Sequence, residues 1–491
     1  MNTDAVSPAE LRKAFSEALP PHEQTGGTPR EPRFTYVPQS HARALDPDKT
    51  LVEGMRGAGK SHWWAALNSQ PHREYLETLF PEAKITGNLK ISQGFGVGLS
   101  SLVAPKKDTL AQLVVSHDAR HIWQTVIAVS AGFPHPFPLQ PGEWNAMVPW
   151  VEQHPEQYDL LLEELDQNLG KQKTVHLVLF DALDRLADDW PAIRPLARSL
   201  LQLALDMRAN KAIKLKLFVR PDMLQDREIL AFPDSSKLLA QKVALTWRSV
   251  DLYALLFQCL ANAENHDNPF RMLCERQFGL NWRKDEILKL WPVPNECRAD
   301  KELQSKIFHA LTGPWMGSGA KRGAPYTWLV NHLTDTLNQV SPRSFSSALR
   351  HAVDEEPKKD WPYALDYHAI QHGVREASHI RVQEMTFEDY PWVNTFMQPL
   401  RNRITVPCEA ADIIHLWRQD STLSKLQQLW ANTETEVRLP PQHLNAGEQG
   451  VLADLEALGV IQTLTDGRIQ MPDIYRLAFG LGRKGGVKPL R

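Results

Sequence analysis

The sequence predicts an α/β fold in which a parallel sheet carries a phosphate-binding loop. The segment GMRGAGKS, residues 54–61, fills every fixed position of the pattern G-x-x-x-x-G-K-[ST]. Two continuous apolar runs, VHLVLF at 175–180 and IKLKLFV at 213–219, have the composition of strands covered on both faces. A leucine-rich helical segment, 191–208, lies between them. Strands that alternate with helices in this way form a parallel, doubly wound sheet.

The surroundings of the loop fit this interpretation. A short apolar strand, 50–52, leads into it, and 61–67 can open a helix whose N-terminus faces an anion. In this pattern the glycines let backbone N–H groups surround phosphates, Lys60 contacts the β- and γ-phosphates, and the Ser61 hydroxyl binds Mg²⁺. The predicted nucleotide contacts are Gly54, Arg56, Gly57, Ala58, Gly59, Lys60, Ser61 and His62. Ahead of the loop, His41 and Arg43 could contact the base, or their segment could be a plain linker.

A second oxygen ligand for Mg²⁺ is expected where a neighbouring strand ends. Asp181 directly follows the run 175–180, so the predicted metal ligands are Ser61 and Asp181. The alternative role for Asp181 is a helix N-cap. Asp184, three residues later, is the candidate to orient or deprotonate the attacking water. Its alternative is an acid in a first helical turn, favoured by the helix dipole.

The apolar strand followed by DALDRL, residues 181–186, resembles the Walker B region of the KAP and STAND-like branches of the AAA+/ASCE P-loop ATPases. Those proteins are ATP switches frequent in bacterial regulatory and anti-phage systems, and the resemblance covers about residues 45–355. It implies ATP as the nucleotide, ATP hydrolysis, a homo-oligomer and a protein effector as partner. The sequence departs from many AAA+ ATPases at Ala182, where they have a catalytic Glu. Slow turnover, or Asp184 as the substitute, is therefore expected.

The resemblance also implies two arginines that sense the γ-phosphate. Arg220 closes the run 213–219 in the position of a sensor-1 group, although an ordinary surface arginine is the alternative. Ser341 and Pro342 have the form of a helix start, which places Arg343 at the positive end of the helix dipole. An anionic partner is therefore expected for Arg343, either a phosphate or a nearby carboxylate, and the sensor-2 role is favoured. The predicted catalytic residues are Lys60, Asp181, Asp184, Arg220 and Arg343.

The predicted domains follow from shifts in composition along the chain. They are a flexible N-terminal arm (1–33), an ATPase core (34–250) with an insertion near 70–150, a helical lid (251–360), a helical connector (361–435) and a winged-helix-like module with a basic tail (436–491). Within the insertion, the glycine-rich segment 86–101 is predicted to be a hairpin or mobile loop with a structural role. A shorter strand is expected at 243–247.

The C-terminal segment predicts a helix at 445–460 and a hairpin about Asp466 and Gly467, which together resemble the end of a winged helix. The last sixteen residues contain five cations and no acid, so they could contact DNA phosphates. These cations are Arg476, Arg483, Lys484, Lys488 and Arg491. The helix itself is acidic, with Glu448, Asp454 and Glu456, which favours packing or docking to a protein over DNA binding.

Length and composition limit the function class. With 491 residues, 42% hydrophobic and 23% charged, the chain is expected to form two to four globular domains. The net charge of −3 indicates no general affinity for nucleic acid. No apolar run approaches the roughly 18 residues of a membrane span, and no signal peptide is recognisable, so a cytoplasmic location without membrane contact is expected. Three functions are therefore open. They are an ATP switch that controls a partner protein, an ATPase that binds DNA through its C-terminal module, and a nucleotide-binding scaffold that never hydrolyses ATP.

Overall fold

The computed structural model describes residues 6–19, 28–263, 267–432 and 439–484. The chain divides into two compact units. One, termed the sheet unit, comprises residues 24–32 and 37–246, and the other, termed the helical unit, comprises residues 1–23, 33–36 and 247–491. The finer domain limits given above stay predictions.

The strands of the described residues form one large sheet and two small ones. In chain order they are β1 (Leu51–Glu53), β2 (Leu89–Phe95), β3 (Val175–Phe180), β4 (Ile213–Val219), β5 (Val243–Ala244), β6 (Thr405–Val406), β7 (Gln462–Thr463), β8 (Ile469–Gln470) and β9 (Gly482–Arg483). The large sheet has the order β2-β3-β4-β1-β5, and all of its pairs are parallel.

In the sheet unit the α-helices surround the large sheet, and in the helical unit they make up most of the structure. In chain order they are α1 (Pro8–Ala18), α2 (Gln39–Leu45), α3 (Lys60–Asn68), α4 (Gln70–Leu79), α5 (Lys107–Ser116), α6 (Ala119–Ala131), α7 (Trp144–Gln153), α8 (Pro155–Lys171), α9 (Trp190–Asp206), α10 (Pro221–Gln225), α11 (Ser235–Leu239), α12 (Ser249–Ala261), α13 (Pro269–Phe278), α14 (Glu296–Ala299), α15 (Lys301–Thr312), α16 (Pro325–Leu333), α17 (Pro342–Asp354), α18 (Tyr367–Gln383), α19 (Pro391–Met397), α20 (Ala410–Gln419), α21 (Thr422–Asn432), α22 (Gly447–Ala457) and α23 (Asp473–Phe479). None of the helices within these described ranges has the length and apolar character that a membrane crossing requires.

The predicted fold class is confirmed. Strands β3 and β4 have the bounds that their apolar runs predict, and their register pairs Val178 with Leu215. Apart from Val175 and Lys214, every residue of these two strands is buried, as central strands of a covered parallel sheet must be. Trp123 on α6 covers one face, since its ring meets Phe95 and Phe180 edge-on, each at 5.9 Å between centroids.

The interpretation of 86–101 as a hairpin or mobile loop is wrong, because this segment contains the edge strand β2. It pairs in parallel with β3, and the register shifts between Gln93 and Phe95. Its glycines are needed for packing. A Cβ at Gly94 would lie 2.6 Å from the Phe180 ring, and one at Gly96 would lie 2.3 Å from the Trp64 ring on α3. The glycine pattern therefore brings the edge strand close to the helix that follows the phosphate-binding loop.

Gly96→Ala is expected to destabilise the protein by about 1–3 kcal/mol, because the new methyl group forces the buried Trp64 ring aside. Because Trp64 lies on α3, the displacement is also expected to weaken nucleotide binding at the start of that helix. Thermal unfolding and nucleotide titration measure the two effects. Gly87→Ala is the matched control, since a Cβ there meets nothing within 4 Å. Equal stability of the two variants would contradict this account of β2.

Lys216 is fully buried in the middle of β4. A lysine at this position was not expected to be buried, because its side chain is charged. Its Nζ donates hydrogen bonds to the backbone oxygens of Ala44 (2.7 Å), Asp46 (3.0 Å) and Lys49 (2.6 Å). These acceptors lie at the end of α2 and in the turn before β1, so Lys216 fixes the chain that leads into the loop. Burial lowers the pKa of Lys216 to about 7, against the opposing effect of Asp46 and Asp48.

Lys216→Met is expected to lower the free energy of unfolding by about 2–4 kcal/mol, because three buried carbonyls lose their donor. The folded-state pKa lies below the unfolded value of 10.5, so the unfolded state binds more protons between these values. Wild-type stability from this group therefore rises between about pH 7 and pH 9, by at most about 1.4 kcal/mol per unit. Denaturation across that range should show a gap between wild type and variant that widens with pH.

If the difference in stability between wild type and Lys216→Met stayed constant with pH, this would contradict the burial of a lysine that titrates in this range. Lys214→Met, two residues earlier on β4, provides the control. The Lys214 side chain is 20% exposed and donates to one backbone oxygen, that of Asn210 at 2.7 Å. Its replacement is expected to cost less than half as much, because fewer buried acceptors lose a donor.

The end of the helical unit contains the predicted helix and hairpin. Helix α22 is followed by β7 and β8, which pair antiparallel across the turn that contains Gly467 at φ 85°. Strand β9 pairs in parallel with β6, a contact that no sequence pattern indicated. The α+β character of this module is observed, and its assignment as a winged helix stays a prediction.

Candidate functional site

The loop at residues 54–59 leaves β1 and enters α3 as its sequence requires. Gly54 N–H donates to Val219 O at 3.0 Å, which holds the start of the loop against β4. Gly57 and Gly59 have φ values of 76° and 105°, in the region where glycine is favoured. Helix α3 begins directly at Lys60, and Trp63 N–H donates to Gly59 O at 2.9 Å. The N-terminal backbone of α3 therefore follows the loop, as an anion site requires.

The Lys60 ammonium group lies within the loop. Its Nζ donates to Gly54 O at 2.6 Å and to Met55 O at 3.0 Å. Burial lowers the pKa of Lys60 to about 8, while the charge of Asp181 opposes that shift. A bound phosphate would give the Lys60 ammonium group an anionic partner within the loop, so the lysine is suited to phosphate binding.

Asp181 lies next to Ser61, as the predicted metal pair requires. The carboxylate is 2% exposed, and it accepts hydrogen bonds from the Ser61 hydroxyl and the Ala182 backbone. Burial raises the pKa of Asp181, and the bond from Ser61 and the charge of Lys60 only partly offset this. A hydroxyl and a carboxylate are hard oxygen donors, which fits Mg²⁺.

Among the described residues no group of three or more His, Cys, Asp or Glu side chains could hold a metal ion. A magnesium ion that takes one hydroxyl and one carboxylate from protein completes its octahedron with water and substrate phosphates. The donor set at Ser61 and Asp181 therefore fits Mg²⁺ that arrives with a nucleotide, and does not form a cage of protein ligands.

Asp184 and Arg220 are also brought together. After Asp181, Ala182 adopts the left-handed conformation (φ 58°) and turns the chain into a short 3₁₀ turn, Leu183–Arg185. Asp184 Oδ2 there lies 3.2 Å from Arg220 Nη1 at the end of β4. Burial alone raises the pKa of Asp184, but the charges of Arg220 and Lys60 outweigh it and hold the pKa below its ordinary value. Asp184 is thus kept as a carboxylate.

The remaining predicted nucleotide contacts lie on or beside the loop. Arg56 and Gly57 are partly exposed at its tip, and Ala58 is buried. His62 packs edge-on against Trp63, at 4.9 Å between ring centroids. Burial lowers the pKa of His62 to about 3, so this imidazole is neutral and adds no charge for a phosphate.

The suggestion that His41 contacts a base is wrong. Its side chain is fully buried and lies 3.2 Å from Thr246 O through Nε2. Its Nδ1 accepts a hydrogen bond of 3.1 Å from Trp63 Nε1. Since the indole can only donate, His41 Nε2 must bear the proton. His41 is therefore a core residue that ties α2 to α3.

Arg343 lies in the helical unit, separate from the sheet unit that contains the other four predicted catalytic residues. Helix α17 starts as expected, because the Ser341 side chain caps it at 3.4 Å from Ser344 N–H and Pro342 follows. Arg343 Nη1 donates to Glu384 Oε1 at 3.1 Å, in a turn of π-helix, Glu384–Asp389. Of the two anionic partners expected, the structure provides the carboxylate, and the sensor-2 role stays a prediction.

The basic tail is partly occupied by internal ion pairs. Arg476 Nε and Arg483 Nη1 donate to Asp473 at 2.6 and 3.0 Å. Asp473 is 5% exposed, so these arginines stabilise a buried carboxylate. Lys484 is exposed. Because Arg476 and Arg483 pair with Asp473, the DNA interpretation of the tail depends on fewer free cations than its sequence suggests. Lys488 and Arg491 lie outside the described residues.

Asp222 was not predicted as a site residue, yet it lies within it. Its carboxylate pairs with Arg220 Nη2 at 3.1 Å. The only sequence signal is an acid two positions after the arginine that follows the apolar run 213–219.

Comparisons with known proteins give fold similarity alone. No protein-family model matches the sequence, and no curated protein matches it at a significant level. Among solved structures, the Aeropyrum pernix ORC2 protein in its ADPNP–ADP complexes is 12% identical with a TM-score of 0.40, and the match covers 94% of this chain and 96% of that chain. A Walker-type ATPase of Pyrococcus abyssi is 14% identical with a TM-score of 0.38, and the match covers 93% of this chain and 98% of that chain. Similarity at this level has no weight for function.

The class follows from the chain's own topology. Strand β4 separates the loop-bearing β1 from β3, which Asp181 directly follows. The segment between β1 and α3 fills every fixed position of the phosphate-binding pattern G-x-x-x-x-G-K-[ST]. The chain therefore has the fold of a P-loop NTPase, with the loop, the carboxylate and the arginine at the carboxyl ends of adjacent parallel strands.

Proposed function

We propose that this protein binds ATP together with Mg²⁺ and hydrolyses it slowly. The observation that supports the proposal is the convergence of one loop and two strand ends. Lys60, Asp181, Asp184 and Arg220 lie close enough for their charges to affect one another's ionisation. An ammonium group in a glycine loop, beside a hydroxyl and a carboxylate, is the arrangement that a nucleoside triphosphate requires.

Each residue has a role in this proposal. The backbone of 54–59 and the Lys60 ammonium hold the β- and γ-phosphates. The Ser61 hydroxyl and the Asp181 carboxylate hold Mg²⁺, which when bound neutralises charge that develops on the transferred phosphoryl group. Asp184, kept ionised by its neighbours, orients the attacking water. Arg220, which bonds to Asp184, contacts the γ-phosphate.

Slow turnover follows from two features of the site. Ala182 provides no carboxylate at the position where many AAA+ ATPases have Glu. Asp184, the remaining candidate, is paired with Arg220 at 3.2 Å, which makes it a weaker base. Turnover below about 1 s⁻¹ is therefore expected, at the low end of ordinary enzymes. Such a site suits a switch that holds ATP better than it suits a motor.

Calorimetric titration of the full chain with ATP and with ADP, each with Mg²⁺, tests the binding step. Both nucleotides are expected to bind at one site per chain, and a chelator is expected to weaken ATP binding. GTP is the comparison, since the preference for ATP is taken from the family resemblance. Absence of binding by both adenine nucleotides would refute the proposal.

We extend the proposal to a switch that assembles with copies of itself and controls a partner protein, as the family resemblance implies. A role in bacterial anti-phage defence belongs to this extension. Native mass measured with and without ATP tests the assembly step, and ATP-dependent growth of the complex is expected. An unchanged monomer under both conditions would remove the assembling switch from the proposal.

A further inference from the structure

We propose that Asp222 is a positioning residue of this site, which fixes the guanidinium group of Arg220 so that Arg220 can read a γ-phosphate. The inference deepens the proposed function and rests on it. Asp222 itself is not assigned a contact with the nucleotide. Its effect acts through Arg220.

The Asp222 carboxylate contacts two nitrogens along one edge of the Arg220 guanidinium group. Arg220 Nε donates to Asp222 Oδ1 at 3.2 Å, and Nη2 lies 3.1 Å from Oδ2. The third nitrogen, Nη1, donates to Asp184 at 3.2 Å. Paired bonds between a guanidinium and a carboxylate fix orientation as well as distance. Asp222 therefore determines which way Nη1 points.

The pair is local in sequence, so its geometry needs little from the rest of the unit. Arg220 directly follows β4 in an extended conformation, and Pro221 opens the short helix α10. Proline fixes its own φ and restricts the residue before it. Arg220 and Asp222 are therefore held two positions apart on a stiff stretch of chain. Their side chains are 11% and 13% exposed, so solvent weakens the ion pair less than at an open surface.

The charges of the site make it possible to distinguish a positioning role of Asp222 from an electrostatic one. Asp222 contributes to the electrostatic environment of Lys60, together with Asp181, Asp184 and Arg220. Two cations and three carboxylates leave this group with a net negative charge. Removal of the Asp222 charge should therefore strengthen the binding of an anionic nucleotide, if charge alone matters. A loss of γ-phosphate recognition in an Asp222→Asn variant has to come from lost orientation of Arg220.

The test compares Asp222→Asn with the wild type for ADP affinity, ATP affinity, kcat and KM. We expect ADP affinity to change less than about twofold, because the loop residues hold the α- and β-phosphates. The preference for ATP over ADP and kcat are each expected to fall by about 10-fold to 100-fold. The KM for ATP is expected to rise with the loss of ATP affinity, because KM approaches Kd when turnover is slow. Asp222→Glu should recover part of both losses. Asp234→Asn, an exposed acid of the same unit that pairs with Lys237, is the control and should match the wild type.

Two results would overturn the inference while the proposed function stands. One is an Asp222→Asn variant with the ATP preference and kcat of the wild type. The other is a parallel loss of ADP affinity and thermal stability, which would make Asp222 a merely structural residue. A wild type that binds nucleotides but releases no phosphate refutes the hydrolysis step, and the ATP preference still tests Asp222. A wild type that binds neither nucleotide overturns both proposals.

Discussion

Lys60→Ala is expected to weaken ATP binding by at least about 100-fold, because the ammonium group supplies charge-assisted bonds to two phosphates. The variant should remain folded. Burial disfavours the Lys60 charge, as its lowered pKa of about 8 shows, so its removal relieves an electrostatic cost of the folded state. Calorimetric titration with ATP measures the loss, and thermal unfolding confirms the fold.

The titration of Lys60 predicts how ATP affinity depends on pH. Without nucleotide the Lys60 amine loses its proton above about pH 8, whereas bound phosphate favours the charged form and raises the pKa. Binding then takes up a proton, so affinity is expected to fall toward tenfold per unit above about pH 8. Lys60→Arg, which stays charged, should abolish this dependence. Lys242→Ala, a partly exposed lysine that pairs with Glu53, is the control for charge loss.

Two results would contradict the role of Lys60. One is a Lys60→Ala variant that binds ATP as the wild type does. The other is a wild-type affinity for ATP that stays constant as the pH rises above the pKa of Lys60, while the protein remains folded.

Asp181→Asn is expected to lower the rate of ATP hydrolysis by about 100-fold to 10,000-fold while ATP binding is largely retained. Asn has the same shape, and its amide oxygen can still accept from Ser61, but it lacks the charge that holds Mg²⁺. The measurement is kcat over a magnesium titration. The variant should need more Mg²⁺ for half-maximal activity. Asp188→Asn is the control, since Asp188 follows β3 on the same connection and its side chain is 48% exposed.

A variant that hydrolyses ATP at the wild-type rate would show that Asp181 has no metal role. Loss of both ATP binding and stability would indicate instead that the residue holds the turn after β3 together. The expected pattern, in which binding survives and turnover does not, distinguishes a metal ligand from a structural carboxylate.

The parts of the fold that the sequence predicted are those with a local signal. The runs at 175–180 and 213–219 gave the bounds of β3 and β4, because a strand buried on both faces needs apolar residues throughout. The loop at 54–61 contains Gly57 and Gly59 at positive φ, a backbone conformation that glycine adopts most readily. Ser341 and Pro342 likewise marked the start of α17, since capping is decided by neighbouring residues.

The parts that the sequence did not predict depend on distant contacts. β2 contains polar residues and Gly94, and Gly96 follows it, because this edge strand packs closely against Phe180 and Trp64, which its own pattern does not reveal. Lys216 is buried because three backbone carbonyls far along the chain accept hydrogen bonds from its ammonium group. The partner of Arg343 is 41 residues away, so the sequence left a phosphate, the favoured partner, and a carboxylate as alternatives.

The same distinction holds within the site. Lys60 and Asp181 belong to motifs with fixed positions, so each could be named from the sequence. The pairing of Arg220 with both Asp184 and Asp222 depends on how β4 ends beside β3. Only the three-dimensional arrangement shows that one arginine contacts two carboxylates.

Single-turnover release of phosphate from ATP is the most direct test of the central proposal, that this is a slow magnesium-dependent ATPase. The full chain is mixed with less than one equivalent of ATP and Mg²⁺, and product is followed over time beside Asp181→Asn. The account predicts complete conversion to ADP and phosphate by the wild type, slowed by at least about 100-fold in the variant. ATP that stays bound and intact in the wild type would contradict it and identify a nucleotide-binding scaffold.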